Sequence, residues 1–491
     1  LETVELPVSL AQKMELLAPY LDTNRDVKSR SFSLRGKKKL SAVAIFMEGI
    51  TDYHSLNRDI LLPLMNREFQ EIRDPGGFLE EVTTSVLTVG QIKTVATPAA
   101  MIHSIFDGMT VLIFDGIPDA LAIDARGGEY RSIQEPLLDH AVRGPRESFT
   151  ENIVTNISLV RRKLRDPNLV VESLVLGQRS RTEIAILYIK DIADPGIVAE
   201  IKERLAPVNI DGVLSVGQVN QLIEDRPHSV FPVTRTVERA DMAAASLLEG
   251  RIVVASGESP FMLVYPTLFA EFFRSMDDYY ERNIIGAFIK PLRFFAFFIA
   301  VSLPSLYIAL FAYQPELITY RLLIHVERFR SEVPFPVLFE AIMIELLIQL
   351  IIEASLRLPT PLGQTIGVVT GIVLGQAAIM AKLASPSLII IIAIAALSIY
   401  VIPNYSITQS VRIVRILMMI AASTFGLFGF ILGWLLILGQ LADLESIGVP
   451  NMAPLAPTRF ADLKDTFFVS PLKKQKERPV SVPIQDKKRR E

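Results

Sequence analysis

Four stretches in the last two fifths of this 491-residue chain carry no charged side chain: residues 294–315, 358–381, 383–411 and 416–442. Each holds at least 22 residues, and a helix of about 20 apolar residues crosses the hydrocarbon core of a bilayer. Four such runs in close succession predict a polytopic helical membrane domain, placed at 291–445. The chain as a whole is 50% hydrophobic and 21% charged. A charged soluble half joined to a very apolar half accounts for both values.

A fifth apolar segment is different. Residues 335–356 read FPVLFEAIMIELLIQLIIEASL, with Glu340, Glu345, Gln349 and Glu353 at spacings of 5, 4 and 4. On a helix these four polar groups follow one slowly drifting face. Ionised carboxylates are costly in lipid unless paired or hydrated, so that face must meet protein or water. Two readings stay open: a water-lined cation path, or an amphipathic helix at the interface with its acids in bulk water. Next along the chain, Gly363, Gly367, Gly371 and Gly375 recur every four residues in GQTIGVVTGIVLGQ. Such spacing leaves one helix face open to close backbone approach. It suits a narrow throat in a ring of subunits, or a tight helix contact within one subunit. Pro304 and Pro386 are candidate bend points or static kinks.

The first half alternates strand and helix signals. AVAIF (42–46) reads as a strand and His54 to Met65 as a helix. Thr110 to Phe114 and Ala120 to Asp124 flank an Asp115–Gly116 turn, a hairpin pattern. A second set follows: a strand from Ile184 to Ile189, a helix from Pro195 to Leu205, and a hairpin around SGESP. FMEGITD (46–52) aligns with YIKDIAD (188–194), and FDG (106–108) with LEG (248–250), at one shared offset of 142. The expectation is a pair of related α/β lobes, with chance similarity of two βαβ segments as the alternative. Between them Thr150 to Lys163 has a helical rhythm, with Arg161, Arg162 and Lys163 at the end that suits cations.

These features divide the chain into a basic N-terminal segment (1–39), a first soluble α/β lobe (40–142) and a basic helical linker (143–181). A second lobe with a pre-membrane helix (182–290), the membrane domain (291–445) and a basic cytoplasmic tail (446–491) follow. The fold class is α+β in the soluble part and α-helical in the membrane part. Residues 1–40 lack the apolar core of a secretory signal. Residues 451–491 hold ten Lys and Arg against five Asp and Glu, which favours a cytoplasmic C-terminus. Cytoplasmic placement of both ends requires an even number of crossings: four charge-free spans, with the acidic helix re-entrant or interfacial.

Several classes are disfavoured. With no cysteine, disulfides, thiolate zinc sites and cysteine nucleophiles are excluded. The five histidines are scattered and form no local ligand pair. No Walker pattern occurs, and a net charge of −3 gives no bulk attraction to nucleic acid. Neither an enzyme nor a cofactor is expected.

A longer resemblance remains. RGPRESFTENIVTNISLVRRKLRDP (143–167) is similar to the linker of the A subunits of GerA-type spore germinant receptors. In the same order as in that family come LLEGRIVVASGESPFMLVYP (247–266), DDYYER (277–282) and EASLRLPTPLGQTIG (353–367). IPNYSITQSVRIVRILM (402–418) and APTRFADLKD (456–465) complete the set. The resemblance covers about 40–470. It implies a multi-pass protein of the spore inner membrane that acts with a transporter-like B subunit and a lipoprotein C subunit. It further implies a homo-oligomer forming a nutrient-gated channel for monovalent cations. Candidate pore or gating residues are then Glu340, Glu345, Gln349, Glu353, Gln364, Gly367, Val368, Gly371, Ile372 and Gly375. Candidate linker or relay residues are Arg143, Arg146, Glu151, Asn152, Arg161 and Arg162. The chain departs from the family pattern at Gln349, where many members have Glu, at Ile352, where many have Arg, and at Ser355, where many have Gly. These changes remove a possible internal ion pair. The alternatives are a non-conducting scaffold, a relative that amplifies germination, and a proton-coupled secondary transporter.

Overall fold

The computed structural model describes residues 6–36, 39–69, 74–127, 136, 139, 143–358, 360–471, 473 and 475–489, the side chains of 356, 360–366, 368 and 464 excepted. The chain forms two units: one of residues 1–224, 236–266 and 476–491, the other of residues 225–235 and 267–475.

The first unit holds two sheets. Strands β1 (Val27–Gly36), β2 (Leu40–Met47), β3 (Glu68–Phe69), β4 (Ile92–Val95), β5 (Thr110–Phe114) and β6 (Ala120–Ile123) pair in the order β3-β1-β2-β5-β6-β4. Helices cover both faces. Phe46, Leu112 and Phe114 pack with Leu56, Ile60 and Leu64 of the helical run 53–66 and with Phe78 and Val82. Val43, Ile45, Val111 and Ile113 face Leu17 of the helix Leu10–Thr23 and Met101, Ile102 and Ile105 of the helix Pro98–Phe106. Two covered faces explain why TVLIF and ALAI are unbroken apolar runs instead of alternating ones.

The second sheet has β7 (Leu169–Leu176), β8 (Thr182–Ile189), β9 (Arg235–Val237), β10 (Ile252–Ser256) and β11 (Met262–Tyr265), in the order β7-β8-β10-β11-β9. Adding 142 to the bounds of β2, β5, β6 and the helix Pro98–Phe106 gives the bounds of β8, β10, β11 and the helix Ala240–Leu248. β1 and β7 begin at the same offset, and each pairs antiparallel with the next strand. The two lobes are therefore copies of one α/β pattern.

The correspondence also moves two boundaries. β1 lies in the stretch 1–39 that was set apart as a basic segment, yet it pairs with β2 from Val27↔Met47 to Leu34↔Leu40. β7 lies inside the assigned linker 143–181. Each lobe thus starts one strand earlier than expected. The reason is composition: in VKSRSFSLRG only Val27, Phe32 and Leu34 are buried. The tail is not a free extension either, because residues 476–491 belong to the first unit.

The second unit is helical. It contains Asn283–Tyr313, Tyr320–Arg330, Val337–Arg357, Thr360–Met380, Pro386–Tyr400 and Tyr405–Asp443. Among the described residues two helical stretches are, by length and composition, long and apolar enough to cross a membrane: Asn283–Tyr313 with 31 residues, and Tyr405–Asp443 with 39, which is kinked at Gly426. The run 383–411, expected to be one span, is broken. Its helix Pro386–Tyr400 has 15 residues, and the chain restarts after Pro403. There Asn404 caps the next helix by accepting from the Ser406 and Ile407 amides at 3.0 and 3.4 Å. The run 416–442 is broken too: inside Tyr405–Asp443 the backbone of Gly426 is non-helical (φ +60°), so two helices meet there at a kink, the first of them carrying Arg412 and Arg415. Pro386 occupies the first turn of its helix, where the missing N–H costs nothing, so it bends no span. Pro304 lies inside Asn283–Tyr313. Arg293, which bounds the first charge-free run, is buried in a two-pronged pair with Asp278 at 2.5 and 2.8 Å.

Candidate functional site

The acidic helix Val337–Arg357 places its four polar residues in three different settings. Glu340 is 1% exposed. Its Oε1 accepts from the backbone amide of Ser385, just ahead of the helix Pro386–Tyr400. Glu345 is 4% exposed and forms an ion pair with Arg415, which is 1% exposed, on the helix Tyr405–Asp443. Glu345 Oε2 and Arg415 Nε and Nη1 make no hydrogen bond among the described residues. Gln349 is half-buried. It lines a small cavity with Glu345, Ile352, Tyr400, Arg412 and Arg415. Glu353 is exposed and pairs with Arg357 one turn on, at 2.7 Å.

Within the chain, then, the first two acids meet protein, not bulk water and not an open path. The physical requirement is the same one the sequence posed: a buried carboxylate needs a cation or a donor. The structure meets it with Arg415 and the Ser385 amide. Positions 349 and 352 line the same cavity as Arg412 and Arg415. The cation for Glu345 therefore comes from a different helix.

The glycine helix Thr360–Met380 is split in its surroundings. A Cβ at Gly367 would stand 3.1 Å from Ser355 Oγ, so there the glycine permits close approach to the acidic helix. At Gly371 and Gly375 an added Cβ would meet nothing within 4 Å among the described residues. Ile372, between them, is 56% exposed. Close helix contact within the chain therefore explains Gly367 and leaves Gly371 and Gly375 unexplained. The side chains of Gln364 and Val368 lie outside the described residues.

In the first unit the linker helix Ile153–Lys163 is built as expected. The side chain of Asn152 caps it, accepting from the Val154 and Thr155 amides at 2.9 and 3.3 Å. Glu151 is exposed, and its carbonyl accepts the Glu258 amide at 2.8 Å. Arg143 and Arg146 are exposed.

Arg161 departs from the picture of a basic helix end in water. Its side chain is 1% exposed. Its Nε donates to Asp26 Oδ2 at 2.8 Å, and Nη2 donates to Asp26 Oδ1 at 3.1 Å and Asn24 Oδ1 at 2.8 Å. Its Nη1 donates to the Leu169 carbonyl at 2.7 Å, and the guanidinium lies over the Phe106 ring at 5.2 Å. One side chain thereby ties the linker helix, the residues before β1 and the start of β7. The fixed fork of arginine suits this work as lysine would not. Asn24 Oδ1 also accepts the Val171 amide at 3.1 Å, which joins the two lobes at the same point. Arg161 and Arg162 line a cavity of about 350 Å³ with Arg126, Arg165, Asp107 and Asp124.

Three participants escaped the sequence reading: Arg415, Asp26 and Asn24. For Arg415 a signal existed, since a lone cation in an apolar helix needs a counter-charge. Among the described residues no group of His, Asp and Glu is arranged to hold a metal ion.

Residues 15–481 match the family model described as Bacillus/Clostridium GerA spore germination protein. The chain is 35% identical over 481 residues to spore germination protein KA of Bacillus subtilis, covering 98% of this chain and 88% of that one. It is 36% identical over 483 residues to spore germination protein GerLA of Bacillus cereus, covering 98% and 97%. The crystal structure of the N-terminal domain of the A subunit of the Bacillus megaterium spore germinant receptor GerK3 is 28% identical, with a TM-score of 0.40, covering 54% of this chain and 98% of that one. A match over nearly the whole length, together with relatives above 30% identity, means that this chain belongs to the GerA family of spore germination proteins.

Proposed function

We propose that the chain is the A subunit of a nutrient germinant receptor in the spore inner membrane, and that several copies join around a path for monovalent cations. The observation that carries the reading is the open glycine face. Among the described residues a Cβ at Gly371 or Gly375 would meet nothing within 4 Å, and the neighbouring Ile372 is 56% exposed. In a ring of subunits, small residues on such a face allow helices to crowd an axis and apolar neighbours close it by dewetting. Glu353, the exposed acid of the helix Val337–Arg357, would raise the local cation concentration near such a path.

The topology fits an even number of crossings. The chain leaves the first unit after Pro266 and returns to it at Lys476. One folded unit lies on one side of a membrane, so the segment between crosses an even number of times. Both soluble lobes and the C-terminus then share the spore-core side. A transporter-like B subunit and a lipoprotein C subunit complete the receptor in this reading, with no cofactor. Arg161 and its partners would relay their ligand state.

Flux through the reconstituted receptor tests the reading. Gly371→Leu should leave each chain folded, since the position is open, and should alter or block cation release in response to nutrient. Unchanged flux with intact assembly would instead assign this chain to a non-conducting scaffold.

A further inference from the structure

In the first lobe the chain leaves β6 and runs back beside residues 50 and 51. Thr51 and Arg126 form an antiparallel bridge, and the Gly127 amide donates to the Ile50 carbonyl at 3.1 Å. At the offset of 142 the counterparts of Ile50 and Thr51 are Ile192 and Ala193. In the second lobe the chain after β11 does not turn back; it continues at Thr267 into the helical unit. The same two contacts are nevertheless made. Ala193 forms an antiparallel bridge with Ile484, and the Gln485 amide donates to the Ile192 carbonyl at 2.9 Å. The C-terminus occupies the place that the chain's departure leaves open.

The seat is specific. Gly250 has a φ of +82°, and the Ile484 side chain stands where a Cβ would be. Gln485 Nε2 donates to the Ala193 and Lys190 carbonyls at 2.6 and 3.2 Å. Arg489 pairs with Glu249 at 3.4 Å. Arg478, 9% exposed, donates to the Leu248 carbonyl at 2.9 Å and to Asp486 Oδ2 at 2.7 Å. The segment is a hairpin in its own right, with Glu477 bridged to Lys488.

We propose that the second lobe carries a peptide-docking site, formed by Lys190 to Ala193 and Leu248 to Gly250, and that its occupant is this chain's own C-terminal hairpin, a strap separable from the lobe. Recognition combines antiparallel backbone pairing, a branched apolar side chain on Gly250 and a cation on Glu249, as in strand addition to a sheet edge.

The chain has no cysteine, so Ala193→Cys with Ile484→Cys introduces a lone pair into the full-length protein. Residues opposed across an antiparallel bridge have Cα atoms about 4.5–5.5 Å apart, within disulfide reach. Oxidation should give an intrachain crosslink in most molecules. In a second arm a protease site is inserted between Gln475 and Lys476 of the full chain. After cleavage the hairpin should stay bound and should exchange with excess synthetic peptide 476–491. The same peptide carrying Ile484→Asp should compete at least about tenfold more weakly. Absence of the crosslink, a predominance of crosslinks between chains, immediate loss of the hairpin on cleavage, or equal competition by the Ile484→Asp peptide would each overturn the proposal.

Discussion

Glu345 and Arg415, 70 residues apart in sequence, form a buried ion pair between two helices of the apolar unit, with three of their polar atoms unsatisfied among the described residues. Such a pair is poor evidence for stability, because desolvation offsets the Coulomb attraction, but losing one partner is expensive. Arg415→Met strands the carboxylate and should destabilise the unit by about 3–5 kcal/mol. Glu345→Leu with Arg415→Met should recover most of that loss. Trp434 is the chain's single tryptophan; it stacks on Phe298 at 5.2 Å and donates to Ser302 Oγ at 2.9 Å. Its fluorescence during thermal unfolding in detergent reports the outcome. A double variant no more stable than Arg415→Met would mean that the arginine acts through packing alone.

The Arg161 knot gives a prediction about both lobes at once. Arg161→Lys keeps the charge but cannot reach Asp26, Asn24 and the Leu169 carbonyl together. Leaving buried acceptors unmet should cost about 1–3 kcal/mol. Asp26→Asn leaves the guanidinium without its counter-charge and should cost more, about 3–5 kcal/mol. Because Asn24 also accepts the Val171 amide, amide exchange should accelerate in β1 and β7 together. Faster exchange in β1 alone would show that the knot does not couple the lobes.

How far the sequence reveals this architecture depends on what each element buries. Strands covered on both faces write themselves as unbroken apolar runs, so β2, β5, β8 and β10 and the 142-residue repeat were legible. β1 was not, because its exposed Lys28, Arg30 and Arg35 resemble a solvated basic segment. The acids of the helix Val337–Arg357 were legible as a problem needing a partner. The partner was not, since Arg415 served only as the edge of a charge-free run. Which faces of two distant helices meet is decided by packing, and no local pattern records it. The docked hairpin is farther still from its site in sequence, and its charges mark it only as part of a basic tail.

Gly49 offers a sharper local test of the linker helix. Its φ is +79°, and a Cβ there would stand 2.8 Å from Val154 Cγ1 and 3.0 Å from the Val154 carbonyl oxygen. Gly49→Ala therefore combines a left-handed backbone with a steric conflict. It should destabilise the first lobe by about 1–3 kcal/mol, as strained conformations do. Val154→Ala removes only the side-chain half of the conflict. Introduced beside Gly49→Ala it should restore part of the stability but not all, as read by denaturant unfolding of the full-length protein. Full restoration would place the whole penalty in packing and none in the backbone.

Lys13 makes the stability of the first lobe depend on pH in an unusual direction. The residue is fully buried, and its Nζ donates to the Ile117 carbonyl. Burial pushes its pKa down from 10.5 to about 8, against the opposing pull of Asp119 and Asp115. Below pH 8 both folded and unfolded chains carry the proton, so the cost of burying the charge is fully present. Between about 8 and 10.5 the unfolded chain still binds a proton that the folded chain has released, and stability from this group rises with pH. Other groups also titrate there, so the comparison is with Lys13→Met, which lacks the proton. Calorimetric unfolding at pH 7.5, 8.5 and 9.5 should show the wild-type transition gaining on that of Lys13→Met at each step. A constant offset across the three would mean that the ammonium stays charged in its buried setting, held by Asp119, Asp115 and the Ile117 carbonyl.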